Sequence, residues 1–227
     1  MNLNLHLNSF NWNGIVSLFI ACIEILLLIN LLIFSEKKRT NILIYFIVAL
    51  LAAYQVFEFL ICGLGIDSSL TAYMAFADIS FLPPLHLLLI LSVSKSDSKL
   101  NGLLFLPAVF FLVFYLLMID QFEVVHCTVL YATYNYPLGD LYGFFYYLPL
   151  VLAFIFLLKK RKEFDKKQFA FLLIGHIFII IPVITGFILL YLNFPDLVNS
   201  MESILCKFAF GYAIFIALYC LNNTSKS

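Results

Sequence analysis

Seven long, mainly apolar stretches cover most of the chain. They lie near residues 14–34, 42–63, 70–93, 102–119, 141–158, 169–192 and 198–221. A membrane-spanning helix needs roughly 20 such residues to cross about 30 Å of hydrocarbon. Transmembrane strands would instead alternate apolar and polar residues over about ten positions, whereas these stretches are apolar on all sides. The pattern predicts an all-α, polytopic membrane protein built as a seven-helix bundle.

The composition excludes most other classes of protein. Of the 227 residues, 64% are hydrophobic and 11% are charged, against roughly 45–50% and about 25% in an ordinary soluble domain. This balance excludes a soluble domain, a disordered chain, a nucleic-acid binder with a basic face and a small disulfide-rich secreted module. The predicted organisation is a short outer segment (1–13), one membrane domain (14–221) and a cytoplasmic tail (222–227).

The distribution of charge predicts the orientation. Twelve of the 13 basic residues fall in loops on one side of a seven-span protein. The opposite loops contain acidic residues but no lysine or arginine. The twelve are Lys37, Lys38, Arg39, Lys95, Lys99, Lys159, Lys160, Arg161, Lys162, Lys166, Lys167 and Lys226. Because basic loops stay in the cytoplasm, we expect the N-terminus outside and the C-terminus in the cytoplasm, in a bacterial cytoplasmic (inner) membrane.

One outer loop, residues 120–140, is longer than the others. Its middle, VVHCTVLYATY, is rich in β-branched and aromatic residues, which favours a short hairpin over the bundle. Such a loop serves either as a passive lid or as a functional element, and the sequence leaves both readings open.

The five cysteines fall into two groups. Cys22, Cys206 and Cys220 lie in spans and are interpreted as small core residues. Cys62 ends the second span and Cys127 lies in the long loop, so a disulfide between them is open if the outside is oxidising. The spacing contains no metal-ligand motif such as Cys-x-x-Cys, and we expect no metal site.

Ionisable residues inside a membrane span are costly and are functional candidates by default. The candidate ligand-binding set is Glu24, Gln55, Glu58, Asp78, Glu202 and Lys207. Glu58, Asp78, Glu202 and Lys207 share a similar outer depth, so facing helices would bring three acids and one base together. In a structural reading, Lys207 pairs with one acid and the other carboxyls stay protonated. In a functional reading, the set binds a ligand, an ion or a proton and changes helix packing.

A second polar pair is His86 in the third span and His176 in the sixth, both in the inner half. Two histidines are too few for a specific metal site, so we interpret them as partners in an interhelical hydrogen bond. The aromatic run Phe144–Tyr147 opens the fifth span, and an interfacial anchor is the preferred reading over a ligand cage.

A retinal protein is one alternative, with Lys207 as the attachment site. Lys207 in the seventh span and Asp78 in the third resemble parts of the microbial rhodopsin pattern, and a buried lysine with a carboxylate suits a Schiff base. The surrounding residues depart from that pattern. Ser203 stands where that family usually has an aspartate, Ala75 stands in place of the usual arginine, and the single tryptophan, Trp12, lies outside the spans.

The whole chain from about residue 14 to 221 resembles the seven-helix N-terminal sensor region of bacterial and archaeal histidine kinases. The resemblance rests on Glu58-Phe59-Leu60, on Asp78 followed by Pro83-Pro84, and on Tyr136-Pro137-Leu138-Gly139 leading into the fifth span. Tyr54 stands where a tryptophan is common in that family, and Lys207 is unusual for it.

The resemblance implies a sensor of a ligand or of the membrane state. That family carries its output domain after the last span, and this sequence has no such domain before Ser227. We therefore expect a stand-alone, non-enzymatic receptor-like protein with no cofactor, in the lipid bilayer, signalling through a separate partner at the loop 159–167. That loop is also explained as an orientation signal beside anionic lipid.

The alternatives are a small transporter or channel and, less favoured, a membrane-embedded enzyme. The sequence shows neither the internal repeats typical of many transporters nor a nucleophile–base spacing, so no catalytic residue is assigned. No nucleic-acid partner is expected. The oligomeric state, a homo-oligomer included, stays open.

Overall fold

The structure, a computed structural model, describes residues 12–96 and 98–224. The side chains of Lys99, Pro195, Asp196, Val198, Asn199, Glu202 and Thr224 lie outside this description, as do Lys226 and residues 1–11. Eight α-helices follow one another along the chain. They are α1 (Ile15–Phe34), α2 (Arg39–Cys62), α3 (Ser69–Ser80), α4 (Leu82–Val93), α5 (Leu106–Leu117), α6 (Gly139–Lys159), α7 (Lys166–Tyr191) and α8 (Pro195–Thr224).

Within the described residues, seven helices are long and apolar enough to cross a membrane. Helices α3 and α4 together make one of these spans, Ser69–Val93, and α5 joins the preceding 3₁₀ helix to make another, Leu100–Leu117. The predicted all-α, seven-span membrane bundle is confirmed. Many large apolar side chains point outward, such as Leu117, which is 77% exposed. This is the surface that a bundle presents to lipid rather than to water.

Two consecutive prolines divide the third span. Pro83 and Pro84 stand in the first turn of α4, and because neither has a backbone N–H, α3 ends at Ser80. The hydroxyl of Ser80 donates to the carbonyl of Phe76 at 2.8 Å and lies 3.1 Å from the hydroxyl of Tyr142 on α6. The break is therefore tied to a neighbouring helix.

Helices α7 and α8 form the most extensive packing contact of the bundle, followed by α1 and α2. Their approach depends on small residues, as is usual between membrane helices. At Gly211 a Cβ atom would lie only 2.5 Å from the ring of Phe178 on α7. At Gly175 it would lie 3.1 Å from the ring of Tyr212 on α8.

The long loop forms the predicted hairpin, with strands β1 (Glu123–Cys127) and β2 (Ala132–Asn135). The strands are antiparallel and pair Cys127 with Ala132, with a bulge between Val124 and His126. The hairpin covers the end of the bundle where α1 begins, since the amide of Gly14 donates to the carbonyl of Thr128 at 2.9 Å.

A disulfide fixes the hairpin to α2. It joins Cys62, the last residue of α2, to Cys127 in β1, with 5.4 Å between the Cα atoms. We call this end of the bundle the hairpin end, defined by Gly14, Cys62 and the two strands. The opposite end carries the loops 35–38 and 160–165 and is called the basic end. There Gln168 donates to the side-chain carbonyl of Asn223 at 2.7 Å.

Candidate functional site

A buried ion pair lies beneath the hairpin. The ammonium of Lys207 on α8 is 2.8 Å from Oε2 of Glu58 on α2. The Lys207 side chain is 12% exposed and that of Glu58 is fully buried. The ammonium also donates to Oε1 of Gln55 at 2.6 Å and to the hydroxyl of Ser17 at 2.8 Å. These contacts use all three of its N–H donors.

Helical spacing explains why these groups converge. Gln55 and Glu58 are three residues apart on α2, and Ser203 and Lys207 are four apart on α8, so each pair shares one helix face. The amide of Gln55 also donates to the backbone carbonyl of Cys206 at 3.2 Å. The network therefore joins α1, α2 and α8 through hydrogen bonds as well as through charge.

Ser203 connects this network to the hairpin. Its hydroxyl donates to Oε2 of Glu58 at 3.1 Å and accepts the backbone N–H of Ala132, in β2, at 3.2 Å. Both Ser203 and Ala132 are buried. Movement of β2 away from α8 would leave the buried amide of Ala132 without its acceptor, which is unfavourable. Ser203 therefore hydrogen-bonds to the hairpin and to the ion pair at the same time. We call Ser17, Gln55, Glu58, Ser203 and Lys207 the polar network.

Glu24 lies deeper in the bundle than this network. It is seven residues after Ser17 on α1, on the same face, and is fully buried. It is close enough to Lys207 to interact with its charge. Neither of its carboxyl oxygens has a hydrogen-bond partner among the described residues. Glu24 is thus a second buried acid near the single lysine of the spans.

Asp78 does not join the polar network. No hydrogen bond or ion pair joins Asp78 to the network within the described residues, although its helix, α3, packs against α2, which carries Gln55 and Glu58. Oδ2 of Asp78 is buried without a hydrogen-bond partner in the described part of the chain. The side chain of Glu202 lies outside the described residues. The sequence places four ionisable side chains at a similar outer depth, and the structure brings two of them, Glu58 and Lys207, into contact.

His86 and His176 meet in the core, with their Nε2 atoms 2.6 Å apart. Nδ1 of His176 lies 2.8 Å from the carbonyl of Leu172, so this nitrogen carries a proton and donates. In a neutral ring the Nε2 of His176 is then the acceptor, and His86 donates through its own Nε2–H. Nδ1 of His86 is left as an acceptor without a partner in the described chain.

Two network members, Ser17 and Ser203, were not among the residues selected from the sequence. A signal for both existed in the helical spacing, because Ser17 precedes Glu24 by seven residues and Ser203 precedes Lys207 by four. Small hydroxyls in apolar spans are common, so the spacing alone does not distinguish them. The contact from Ser203 to a strand of the distant hairpin has no signal in the sequence.

The polar network fits a free ammonium better than a retinal Schiff base. Lys207 has three acceptors, in Ser17, Gln55 and Glu58. A protonated Schiff base has one N–H, so two of these buried acceptors would lose their donor.

No protein-family model matches the chain, and a comparison with curated proteins finds no significant match. The resemblance to the sensor region of histidine kinases therefore stays a prediction. The class that the structure itself supports is a seven-span helical membrane protein with a buried polar network under a disulfide-linked hairpin.

Proposed function

We propose that the protein is a receptor-like sensory membrane protein in which the hairpin controls helix packing through the polar network. The observation that carries this proposal is the position of Ser203, which bonds to Ala132 of the hairpin and to Glu58 of the ion pair at the same time. A stimulus that displaces the hairpin acts directly on buried charges.

Buried charges favour discrete arrangements. With the network intact, Lys207 has three acceptors, and with the hairpin displaced, the Ser203 hydroxyl that donates to Glu58 loses the N–H of Ala132. A partly satisfied buried network is unfavourable. A shift of α8 against α1 and α2 that pairs the groups again is therefore favoured. A ligand that prefers one of these arrangements shifts the population toward it.

The proposed orientation places the hairpin end outside the cell and the basic end in the cytoplasm. A structural disulfide at Cys62 and Cys127 suits an oxidising compartment, and the loops of the opposite end carry the lysines and arginines. The N-terminus is then outside, and the membrane is the cytoplasmic membrane. The two arguments are independent and agree.

The signal is proposed to pass to a separate partner at the basic end. The loop 159–167 there contains a 3₁₀ turn, Arg161–Glu163, and an exposed ion pair between Lys160 and Glu163 at 2.5 Å. Its six basic residues suit an acidic protein surface, and they also suit anionic lipid headgroups. The resemblance to sensor regions of histidine kinases supports the signalling role, because those regions act on cytoplasmic outputs.

Distances at the basic end test the proposal. Spin labels at positions 37 and 167, in a Cys22→Ser background, would be measured by pulsed dipolar spectroscopy in nanodiscs. The double variant Glu58→Gln, Lys207→Met removes the ion pair without leaving a charge alone, so it should fold. We expect a changed distance distribution in it and no change in the matched surface variant Glu163→Gln. An unchanged distribution in a folded double variant overturns the coupling.

A small transporter is the second candidate, and Glu24 is the observation that favours it. A buried acid without a hydrogen-bond partner, below an ion pair, resembles the stacked ionisable groups of a proton or ion path. Purified protein in liposomes with an imposed proton or sodium gradient tests this candidate. Flux that is lost in Glu24→Gln would assign transport, and the absence of flux in wild-type protein would exclude it for these ions.

A further inference from the structure

A cavity of about 460 Å³ opens between α6 and α7 near the hairpin end. It is separate from the polar network. Drug-sized ligands occupy cavities of about 300–1,000 Å³, so the volume suits a small molecule. Residues of β2 form one wall, and Met201 of α8 contributes to another.

Glycines create this space. Gly143 on α6 and Gly186 on α7 both line the cavity. A Cβ atom at Gly143 would meet only the ring of Tyr147, at 3.7 Å, and one at Gly186 would meet Met201 at 3.6 Å. Both positions therefore have room for a side chain and carry none. The ring centres of Tyr147 and Phe187 lie 5.9 Å apart and join the two helices beside the opening.

The lining has the chemistry of a cation site. Its aromatic members are Tyr134, Tyr136, Phe144, Tyr147 and Phe187, and among the described residues its charged member is Asp140. Aromatic faces attract organic cations, and a carboxylate adds a direct charge attraction. Among the described residues, the lining contains no lysine or arginine. The remaining wall, with Val183, Leu190 and Met201, is apolar.

We propose that this cavity binds a single-chain amphiphile with a cationic alkylammonium headgroup. The headgroup lies among the aromatic rings beside Asp140, and the apolar chain lies along α7. The first turn of α6 also benefits from an acid at Asp140 through the helix dipole, but that effect needs neither the cavity nor the aromatic lining. A cationic amphiphile accounts for the cavity, the aromatic lining and the acid at Asp140 together.

β2 lines the cavity and also bonds to Ser203 through Ala132, so the cavity is placed to receive the stimulus. That role rests on the proposed sensory function. Binding by itself does not depend on that function. An occupant that moves β2 would act on the polar network.

The test is equilibrium binding of decyltrimethylammonium to the full chain in phosphatidylglycerol nanodiscs, with empty nanodiscs correcting for partition into lipid. Decanol and decanoate serve as neutral and anionic ligands of the same chain length. We expect saturable binding of the cation alone. Asp140→Asn should weaken it about tenfold, which corresponds to about 1.4 kcal/mol, and Gly143→Leu should abolish it. The control Asp120→Asn, an exposed acid outside the cavity, should bind like wild type.

Equal binding of all three ligands, or an unchanged affinity in folded Asp140→Asn, overturns the proposal. Competition by added phosphatidylcholine at its bilayer concentration also overturns it, because the site would then hold a membrane lipid. The spin-label distances separate the two proposals. Binding without any change at the basic end removes the cavity as the stimulus site and keeps the ligand site. If the distance changes in the double variant Glu58→Gln, Lys207→Met but wild-type protein does not bind the amphiphile, the ligand site is overturned and the coupling through the polar network is kept.

Discussion

The ammonium of Lys207 and Oε2 of Glu58 lie 2.8 Å apart in the interior of the bundle. Two buried charges in a membrane protein stabilise it only while both are present and hydrogen-bonded, because desolvation opposes each of them. The pair is therefore a point where small changes in chemistry have large effects on stability.

Glu58→Gln is expected to destabilise the protein by about 3–5 kcal/mol, because it removes the carboxylate that directly contacts the buried ammonium of Lys207. Thermal unfolding in nanodiscs, followed by helical circular dichroism, measures the effect. The matched control is Glu163→Gln. It removes an exposed ion pair with Lys160, which should contribute only about 0–1 kcal/mol.

The double variant Glu58→Gln, Lys207→Met should recover much of that loss, since no unpaired charge stays buried. The same unfolding measurement applies. Equal destabilisation in Glu58→Gln and in Glu163→Gln would show that the buried ion pair contributes no more to stability than the exposed one.

The disulfide between Cys62 and Cys127 should stabilise the hairpin end. It closes a loop across 65 positions, and the chain-entropy relation gives up to about 4 kcal/mol for a loop of this length. Helices that stay inserted when the bundle opens reduce that figure. Cys127→Ser should lower the unfolding temperature and increase hydrogen exchange in residues 123–135. Cys22→Ser, at an exposed free cysteine, should do neither, and peptide mapping without reductant should recover residues 62 and 127 linked.

The two histidines should show different tautomers. His176 is expected to carry its proton on Nδ1 and His86 on Nε2, because the carbonyl of Leu172 accepts from His176. Nitrogen-15 spectra of histidine-labelled protein distinguish the two forms. A double-mutant cycle with His86→Leu and His176→Leu should give a coupling between zero and about 1.7 kcal/mol, since interhelical hydrogen bonds in membranes average about 0.6 kcal/mol with a maximum of about 1.7 kcal/mol. Identical tautomers in both rings would contradict the assignment.

The contact of α7 with α8 should be sensitive at Gly211. Gly211→Ala places a Cβ atom 2.5 Å from the ring of Phe178, so the ring or the helix must shift. We expect a loss of about 1–3 kcal/mol, as for overpacking in a close-packed core. Gly102→Ala is the matched control, because a Cβ atom there has no neighbour within 4 Å. Its unfolding temperature should equal that of wild type.

The features that the sequence predicts, the membrane spans and the hairpin, depend on the local composition of single segments. Membrane spans follow from apolar length alone, since a backbone in lipid must satisfy its own hydrogen bonds. The hairpin between Glu123 and Asn135 follows from β-branched and aromatic residues in a loop between spans. The contact of His86 with His176 agrees with the interhelical hydrogen bond that the sequence suggests.

Tertiary packing decided the rest. Depth in the membrane placed Asp78 level with Glu58 and Lys207, but depth carries no information about which helix faces which. Within the described residues no hydrogen bond or ion pair joins Asp78 to the network, although α3 packs against α2, while Ser17 and Ser203 enter the network from α1 and α8. The cavity beside Asp140 likewise depends on how far α6 stands from α7. Hydrophobic length is a property of each segment, whereas the partners of a buried polar group are set by the rotation of every helix in the bundle.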